Sequence, residues 1–193
     1  WMMNRMDSYI EGIKELANEK QVMNEQLEKQ NQQLKYMAYY DDLTHLPNQY
    51  KLIKDLRMYL EHVKQLELAD TEEDAPLGFV GLLDIKHFQK IHEMMGQRVA
   101  ERLKIDITER LKDSIPKGLS LYNYSDHGFA LVSDFTAPIA DETWIEETLQ
   151  RIKVPFKTTE GSVFVSLYMG ITIFPEQGEG AEELLTQACQ ALA

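Results

Sequence analysis

Cysteine is nearly missing from this sequence, in which Cys189 is the single example among 193 residues. One thiol forms no intramolecular disulfide and no cysteine-based zinc cluster, which fits a reducing compartment. We expect Cys189 to pack as a small core side chain within a helix. The sequence is therefore read as a domain held together by its apolar core.

Long apolar runs are missing too, because no stretch of about 18 or more apolar residues occurs. The Met-rich start lacks the basic-then-apolar order of a secretory signal. We predict a cytoplasmic segment without direct membrane contact, and any membrane tether of the parent protein lies outside it. Basic side chains number 20 against 32 acidic ones, for a formal net charge of −12. That balance disfavours nucleic acid and anionic membrane surfaces as partners.

What the chain does have is enough apolar sequence, 44%, for one globular core with an extension. Its two ends interrupt helical patterns, since Trp1 already lies in one and Ala193 stops another. We expect a fragment of a longer protein. It divides into a helical extension, residues 1–39, and a domain, residues 40–193, that is truncated in its C-terminal helix.

The heptad pattern of the extension predicts a dimerising coiled coil. Between Met6 and Met37, ten core positions of a heptad repeat carry eight apolar or aromatic residues: Met6, Tyr9, Ile13, Leu16, Met23, Leu27, Leu34 and Met37. Lys20 and Gln30 fill the other two, where polar groups lower stability but fix register. So narrow a stripe suits the seam of a two-stranded homodimer. A single helix folded back on the domain is the alternative.

The domain predicts a mixed central sheet covered by helices. Periodicity gives helices at residues 48–66, 88–95, 99–115, 145–152 and 181–193, and strands at 79–83, 119–124, 129–132 and 163–174, with an acidic loop at 67–76. The order βααββαβ places two βα-type crossovers around an antiparallel hairpin. This arrangement is typical of the α/β (α+β) ferredoxin-like and palm-type nucleotidyl cyclase folds.

Several motifs, in the right order, resemble those of GGDEF (diguanylate cyclase-like) domains. Residues 39–48 and the following Gln49 resemble the family's opening motif, YDxLTGLPNR, with His45 for its glycine and Gln49 for its arginine. Residues 82–93 resemble DxDxFKxIND, Phe129 and Ala130 follow the turn as in GGDEFA, and residues 169–172 fit the later SxGIA strand. The resemblance implies a domain of bacterial cyclic di-GMP signalling, preceded by a coiled-coil signalling helix.

The resemblance also identifies the residues that would carry the chemistry. A diguanylate cyclase binds GTP and holds two magnesium ions on carboxylates. In the family the metals rest on an aspartate closing the first strand, matched here by Asp84, and on an acidic turn residue, replaced here by His127. The GGDEF turn has become SDHGF. The aligned positions form a vestigial nucleotide and metal pocket: Asp84, Ile85, Gln89, His92, Glu101, Asp126, His127 and Gly128.

Other nucleotide contacts are changed as well. The family's phosphate-binding lysine aligns with Gln89, which removes a positive charge. Its guanine-recognising asparagine and aspartate align with His92 and Glu101. The stretch 116–119 has neither residue of the family's RxxD inhibitory product site. We therefore expect no catalytic residue, no metal site and no cofactor, with magnesium bound only if residual nucleotide binding exists.

Two other ways of forming a metal site are less favoured. Asp126 lies one residue early, and in an extended or turn segment that displacement points its side chain elsewhere. His127 with His87 or His92 would instead suit a softer metal such as zinc, copper or nickel. For each of these three histidines, a solvated or packed side chain is the simpler interpretation.

Taken together, the substitutions predict a catalytically inactive, regulatory and dimerising GGDEF-like module. We expect it to control an adjacent output domain of the parent protein, such as an EAL-type phosphodiesterase following Ala193. One alternative is a sensor that binds GTP or cyclic di-GMP in the vestigial pocket without turning it over. Another is a live cyclase with altered metal ligands.

Overall fold

The structure is a computed structural model that describes residues 2–68, 78–133, 143–159, 161–174, 178 and 180–192, with the side chains of residues 2–10 and 66–68 left out. The chain divides into two compact units, Trp1–Ala38 and Tyr39–Ala193. Helix α1, Met2–Tyr39, makes up the first unit and supplies the first residue of the second. No helix among the described residues is long and apolar enough to span a membrane.

Helix α1 carries the predicted apolar stripe on its surface. Six seam residues expose between 48% and 67% of their area: Ile13, Leu16, Met23, Leu27, Leu34 and Met37. The side chains of Met6 and Tyr9 lie outside the described residues. A stripe of exposed Leu, Ile and Met on an otherwise polar helix costs solvation free energy until a partner covers it. The homodimer itself stays a prediction.

The second unit is built on a four-stranded sheet with the order β2-β3-β1-β6. Its strands are β1 (Gly78–Ile85), β2 (Leu119–Ser125), β3 (Gly128–Ser133) and β6 (Leu167–Phe174). The helices are α2 (Gln49–Leu68), α3 (Phe88–Met95), α4 (Gln97–Ser114), α5 (Thr143–Ile152) and α6 (Ala181–Ala191), and a small hairpin is formed by β4 (Phe156–Thr158) and β5 (Gly161–Val163).

The α/β fold class and the order βααββαβ are confirmed, and two details differ. The three pairings of the main sheet, β1 with β3, β1 with β6 and β2 with β3, are all antiparallel, so the sheet is not mixed in strand direction. The long strand predicted over 163–174 is wrong, because it divides into β5 and β6. The inward alternation of Val163, Val165 and Leu167 continues across the break and conceals it.

The sheet is covered on both faces, which fixes the register of the site-bearing strands. On one face, Leu103, Ile107 and Leu111 of α4 pack against residues of β1 and β3 such as Leu83 and Phe129. On the other, α2 and α6 pack in a second cluster of buried side chains, which includes Leu52, Leu56, Leu60, Leu184, Leu185 and Ala188. Each fully buried leucine stabilises the fold by roughly 1.5–3 kcal/mol.

Helix α6 lies unusually close to β6. A Cβ added at Gly170 would lie 2.2 Å from the carbonyl oxygen of Ala188. Only glycine therefore permits this contact. The buried side of α6 is formed by Leu184, Leu185 and Ala188, and Cys189 follows on the exposed side. The prediction that Cys189 packs in the core is thus wrong.

Candidate functional site

The SDHGF turn, residues 125–129, joins β2 to β3 beside the end of β1. Asp84 lies opposite Gly128 in the antiparallel register, and the Ile85 amide donates to the His127 carbonyl oxygen at 2.9 Å. A Cβ at Gly128 would lie 2.8 Å from Ser125 Oγ and 3.1 Å from the Leu83 carbonyl oxygen. The turn is therefore tightly joined to β1, and Gly128 allows that approach.

At this turn an imidazole lies beside the aspartate. His127 Nε2 is 3.4 Å from Asp84 Oδ1, and the two side chains are 56% and 39% exposed. The pair is ionic only when the imidazole is protonated, and at this exposure it contributes little stability. Its consequence is chemical, since a hydrogen-bond donor or a nitrogen ligand that suits softer metals lies beside the Asp84 carboxylate, which could otherwise bind a hard cation.

The turn residues do not fit a pair of magnesium ions. Mg²⁺ requires near-octahedral oxygen coordination, and two such ions need several carboxylate oxygens. Asp84 supplies one carboxylate, and His127 takes the place beside it. In the described part of the chain, no three His, Cys, Asp or Glu side chains converge closely enough to hold a metal ion. The alternative of a softer metal on His127 with His87 or His92 stays a prediction.

A cavity of about 330 Å³ opens beside the turn. The predicted residues His92, Glu101 and Asp126 line it, together with Asp41, Leu43, Phe88, Gln97, Ala100 and Lys104. The other predicted pocket residues do not line it. Ile85 is a core residue, 1% exposed, while Gln89 is exposed and donates to Glu93 Oε1 at 3.0 Å along α3. Asp84, His127 and Gly128 form the adjoining turn site.

Lys104 is the residue that the sequence reasoning missed. It is 4% exposed, and its Nζ donates to the Ser125 carbonyl oxygen at 2.7 Å. Burial lowers the pKa of the Lys104 ammonium, against the opposing effect of the negative charges on Asp41 and Asp126. The available signal was its position, since Lys104 lies between Ala100 and Ile107 on the core-facing side of an amphipathic helix. A charged residue there requires a partner.

The opening loop, residues 41–48, places Asp41 at the cavity. Asp41 Oδ2 accepts hydrogen bonds from the Thr44 amide at 2.8 Å and from Thr44 Oγ1 at 2.6 Å. The Asn123 amide donates to the Pro47 carbonyl oxygen at 2.8 Å, which ties the loop to β2 just before the turn. His45, which replaces the family's glycine, has a φ of 55°. That left-handed conformation explains why glycine is common there.

Charge makes the cavity unsuited to a triphosphate. Asp41, Glu101 and Asp126 contribute three carboxylates, and Lys104 is the only lysine or arginine among the described residues of the lining. Its ammonium is already engaged with the Ser125 carbonyl. Within α4, the side-chain amide of Gln97 donates to Glu101 Oε1 at 2.7 Å. A bound polyanion would therefore meet an excess of negative charge at low dielectric.

Comparison with known proteins identifies the family. The family described as diguanylate cyclase, GGDEF domain, matches residues 38–193. The bifunctional diguanylate cyclase/cyclic di-GMP phosphodiesterase MucR of Pseudomonas aeruginosa is 26% identical over 171 residues, which are 89% of this chain and 24% of MucR. The cyclic di-GMP phosphodiesterase NbdA of the same organism is 24% identical over 167 residues, which are 86% of this chain and 20% of NbdA.

Solved structures agree on the fold. The coiled coil and GGDEF domain of DgcB from Caulobacter crescentus, in complex with c-di-GMP, has a TM-score of 0.80 at 16% sequence identity, covering 93% of this chain and 92% of that one. At this identity the likeness shows the shared fold alone. The predicted family and fold are confirmed, and the chain spans about a quarter or less of the length of MucR and NbdA.

Proposed function

The chain belongs to the GGDEF family of diguanylate cyclase domains, and we propose that it is a member that regulates instead of synthesising cyclic di-GMP. The observation that carries the proposal is the turn site, where His127 Nε2 lies 3.4 Å from Asp84 Oδ1. The family's chemistry needs a second carboxylate in this neighbourhood. Without it, the two-metal stabilisation of charge on the transferring phosphoryl group has no support.

The remaining nucleotide contacts point the same way. Gln89 is turned along α3 toward Glu93 and brings no positive charge to a triphosphate. The cavity lining is dominated by Asp41, Glu101 and Asp126. A site that loses complementary charged partners loses orders of magnitude in discrimination between substrates. GTP turnover is therefore unsupported at both the metal-binding and the phosphate-binding steps.

The regulatory role is proposed from helix α1. Its exposed stripe of Ile, Leu and Met supports a homodimer seam, in which Lys20 and Gln30 would fix the register. A two-stranded seam at the start of the domain would determine how the two domains of a dimer are oriented toward an adjacent output domain. The names of MucR and NbdA, which include phosphodiesterase activity, support an adjacent output domain of that type.

Turnover by the purified chain tests the proposal. GTP is incubated with the protein in magnesium buffer and separately in manganese buffer, and pyrophosphate release is followed with an active family member as positive control. We expect no release above the protein-free rate. Release that depends on this chain and on the metal would establish the live enzyme with altered ligands and end the proposal.

The alternative function is a nucleotide sensor. The cavity of about 330 Å³ favours it, because Glu101 keeps the negative charge of the family's aspartate there. Isothermal titration with GTP and, separately, with cyclic di-GMP distinguishes the two. Heat of binding that is lost in Glu101→Ala but retained in the surface variant Glu109→Ala would establish the sensor. No heat with either ligand supports a purely structural regulator.

A further inference from the structure

A second cavity lies between helices α2 and α6, on the face of the sheet away from α4. Gln49 and Ile53 of α2 and Tyr124 of β2 line one side of it, and one face of α6, from Glu182 to Gln190, lines the other. We call it the α2–α6 groove. Its volume is about 560 Å³, which lies within the range of roughly 300–1,000 Å³ that is usual for small-molecule sites.

The inner surface of the groove is apolar. Ile53 and Tyr124 are partly buried and pack against the core cluster on this face of the sheet, and Leu185 belongs to that cluster with 5% of its area exposed. Cys189 lies four residues after Leu185, on the same face of α6, and its thiol is exposed. A ligand that covers these side chains removes apolar surface from water, and this favours binding.

The charge of the lining favours an uncharged ligand. Glu182 is the one acidic or basic side chain among the described residues that line the groove, and its carboxylate pairs with Arg57 of α2. The amides of Gln49 and Gln190 and the hydroxyl of Thr186 are neutral. The cavity beside the SDHGF turn is different, because three carboxylates line it. A charged ligand in the groove would lose its hydration without gaining a free counter-charge.

Tyr124 provides a hydrogen-bond donor in this apolar surrounding. Within the described part of the chain, its hydroxyl makes no hydrogen bond. Burial, followed by the electrostatic effect of Cys189, raises the pKa of the Tyr124 phenol, which keeps the hydroxyl protonated. A tyrosine hydroxyl that is partly removed from water gains from an acceptor, and a ligand in the groove can supply one.

We propose that the α2–α6 groove binds an uncharged, mainly apolar small molecule that carries an acceptor for the Tyr124 hydroxyl. The inference goes beyond the proposed function and does not depend on it, because the described residues that line the groove and those that line the cavity beside the turn are different. Tyr124 directly precedes Ser125, the first residue of the SDHGF turn. A ligand in the groove therefore contacts β2 one residue before that turn.

Nile red tests the inference, because this dye is uncharged and aromatic and carries a carbonyl acceptor. Its binding is measured at Cys189, the only thiol of the chain, as the rate at which iodoacetamide alkylates the intact protein, followed by mass spectrometry. We expect saturable protection, with alkylation about fivefold slower when about four-fifths of the grooves are occupied. Nile red bound only to the apolar stripe of α1 would leave the rate unchanged, and that result would overturn the inference.

Variants locate the protection in the groove. Ile53→Asp places a carboxylate there and should abolish the protection. Met58→Asp is the matched control, because Met58 lies on the same helix, is 62% exposed and does not line the groove. Tyr124→Phe keeps the shape of the site, so it remains informative if Ile53→Asp fails to fold, and it should weaken the binding of Nile red about three- to tenfold.

Two further outcomes would contradict the inference. Equal protection in Ile53→Asp and Met58→Asp would show that the dye binds elsewhere, and an unchanged affinity in Tyr124→Phe would remove the hydroxyl from the site. The anionic dye 8-anilinonaphthalene-1-sulfonate is the control for charge and should protect Cys189 much less than Nile red. Equal protection by the two dyes would overturn the assignment of an uncharged ligand.

Discussion

Tyr122 is the clearest case of a single residue whose chemistry follows from its position. It is 2% exposed on β2, and its hydroxyl donates to Asp55 Oδ2 of α2 at 3.0 Å. Burial, followed by the negative charge of Asp55, raises the pKa of the Tyr122 phenol far above its ordinary value of 10.0. Lys51 pairs with the other Asp55 oxygen. The three side chains join α2 to the sheet.

This gives a pH dependence of stability. Because the folded state holds the phenolic proton more tightly than the unfolded state, the stabilisation is complete below pH 10.0 and declines as pH rises above it. Tyr122→Phe loses the hydrogen bond and about 1–2 kcal/mol at pH 8. Its deficit relative to the wild type should shrink between pH 10 and 11. Urea unfolding at each pH measures this, and deficits that stay equal would contradict it.

The type of each residue at the cavity explains which of them could be predicted from the sequence. His92, Glu101 and Asp126 were predicted as pocket residues, and they line the cavity. Lys104 and Asp41 were not, because a lysine within an amphipathic helix is normally solvated and an aspartate in a turn normally caps it. Helical spacing places Lys104 on the core-facing side of α4. The tertiary structure is needed to show that its ammonium is buried there and donates to the Ser125 carbonyl oxygen.

Among the helices and strands, the spacing of apolar residues predicted an element correctly where the spacing ends with the element. The prediction failed where the same spacing continues across a break in the chain's secondary structure. Strand β1 was predicted from its apolar run, and α4 from its helical spacing. The β4-β5 hairpin was missed because inward-facing residues continue to alternate from Val163 to Leu167. The alternation reports which side of the chain is buried, and it does not report whether the backbone stays in one sheet.

The residue that precedes helix α3 has a strained backbone conformation. His87 precedes it with a φ of 59° and without a side-chain capping hydrogen bond. A non-glycine residue in the left-handed region costs roughly 1 kcal/mol. We expect His87→Gly to be more stable than His87→Ala by about 0.5–1 kcal/mol. Thermal and urea unfolding of both variants provides the comparison, and equal stabilities would show that the conformation is not strained.

Helix α1 is the element on which the dimer proposal depends. Leu27→Lys with Leu34→Lys places charges in the seam and should weaken a dimer by at least about tenfold. Asn18→Lys with Gln32→Lys adds the same charge on the outer face and should leave it unchanged. Sedimentation equilibrium measures both. A wild-type chain that is monomeric at high micromolar concentration would show that the stripe serves another purpose.

For the whole molecule, we propose that the fold of the family has been kept while its chemistry has been lost. The two-sided packing of the sheet, with α4 on one face and α2 and α6 on the other, retains the architecture of the family. At the turn and on α3, His127, Gly128 and Gln89 stand where the resemblance places groups that the family's chemistry uses. Substitutions at this edge would leave the core intact, so a loss of catalysis is compatible with the fold of the family.

The most direct test is product analysis of GTP after long incubation with high concentrations of the chain, in magnesium and in manganese, by chromatography and mass spectrometry. The account predicts unchanged GTP and no cyclic di-GMP, with an active family member converting its GTP in parallel. Cyclic di-GMP that accumulates in proportion to the concentration of this chain would contradict the account, because it would show that Asp84 and His127 support the cyclase reaction.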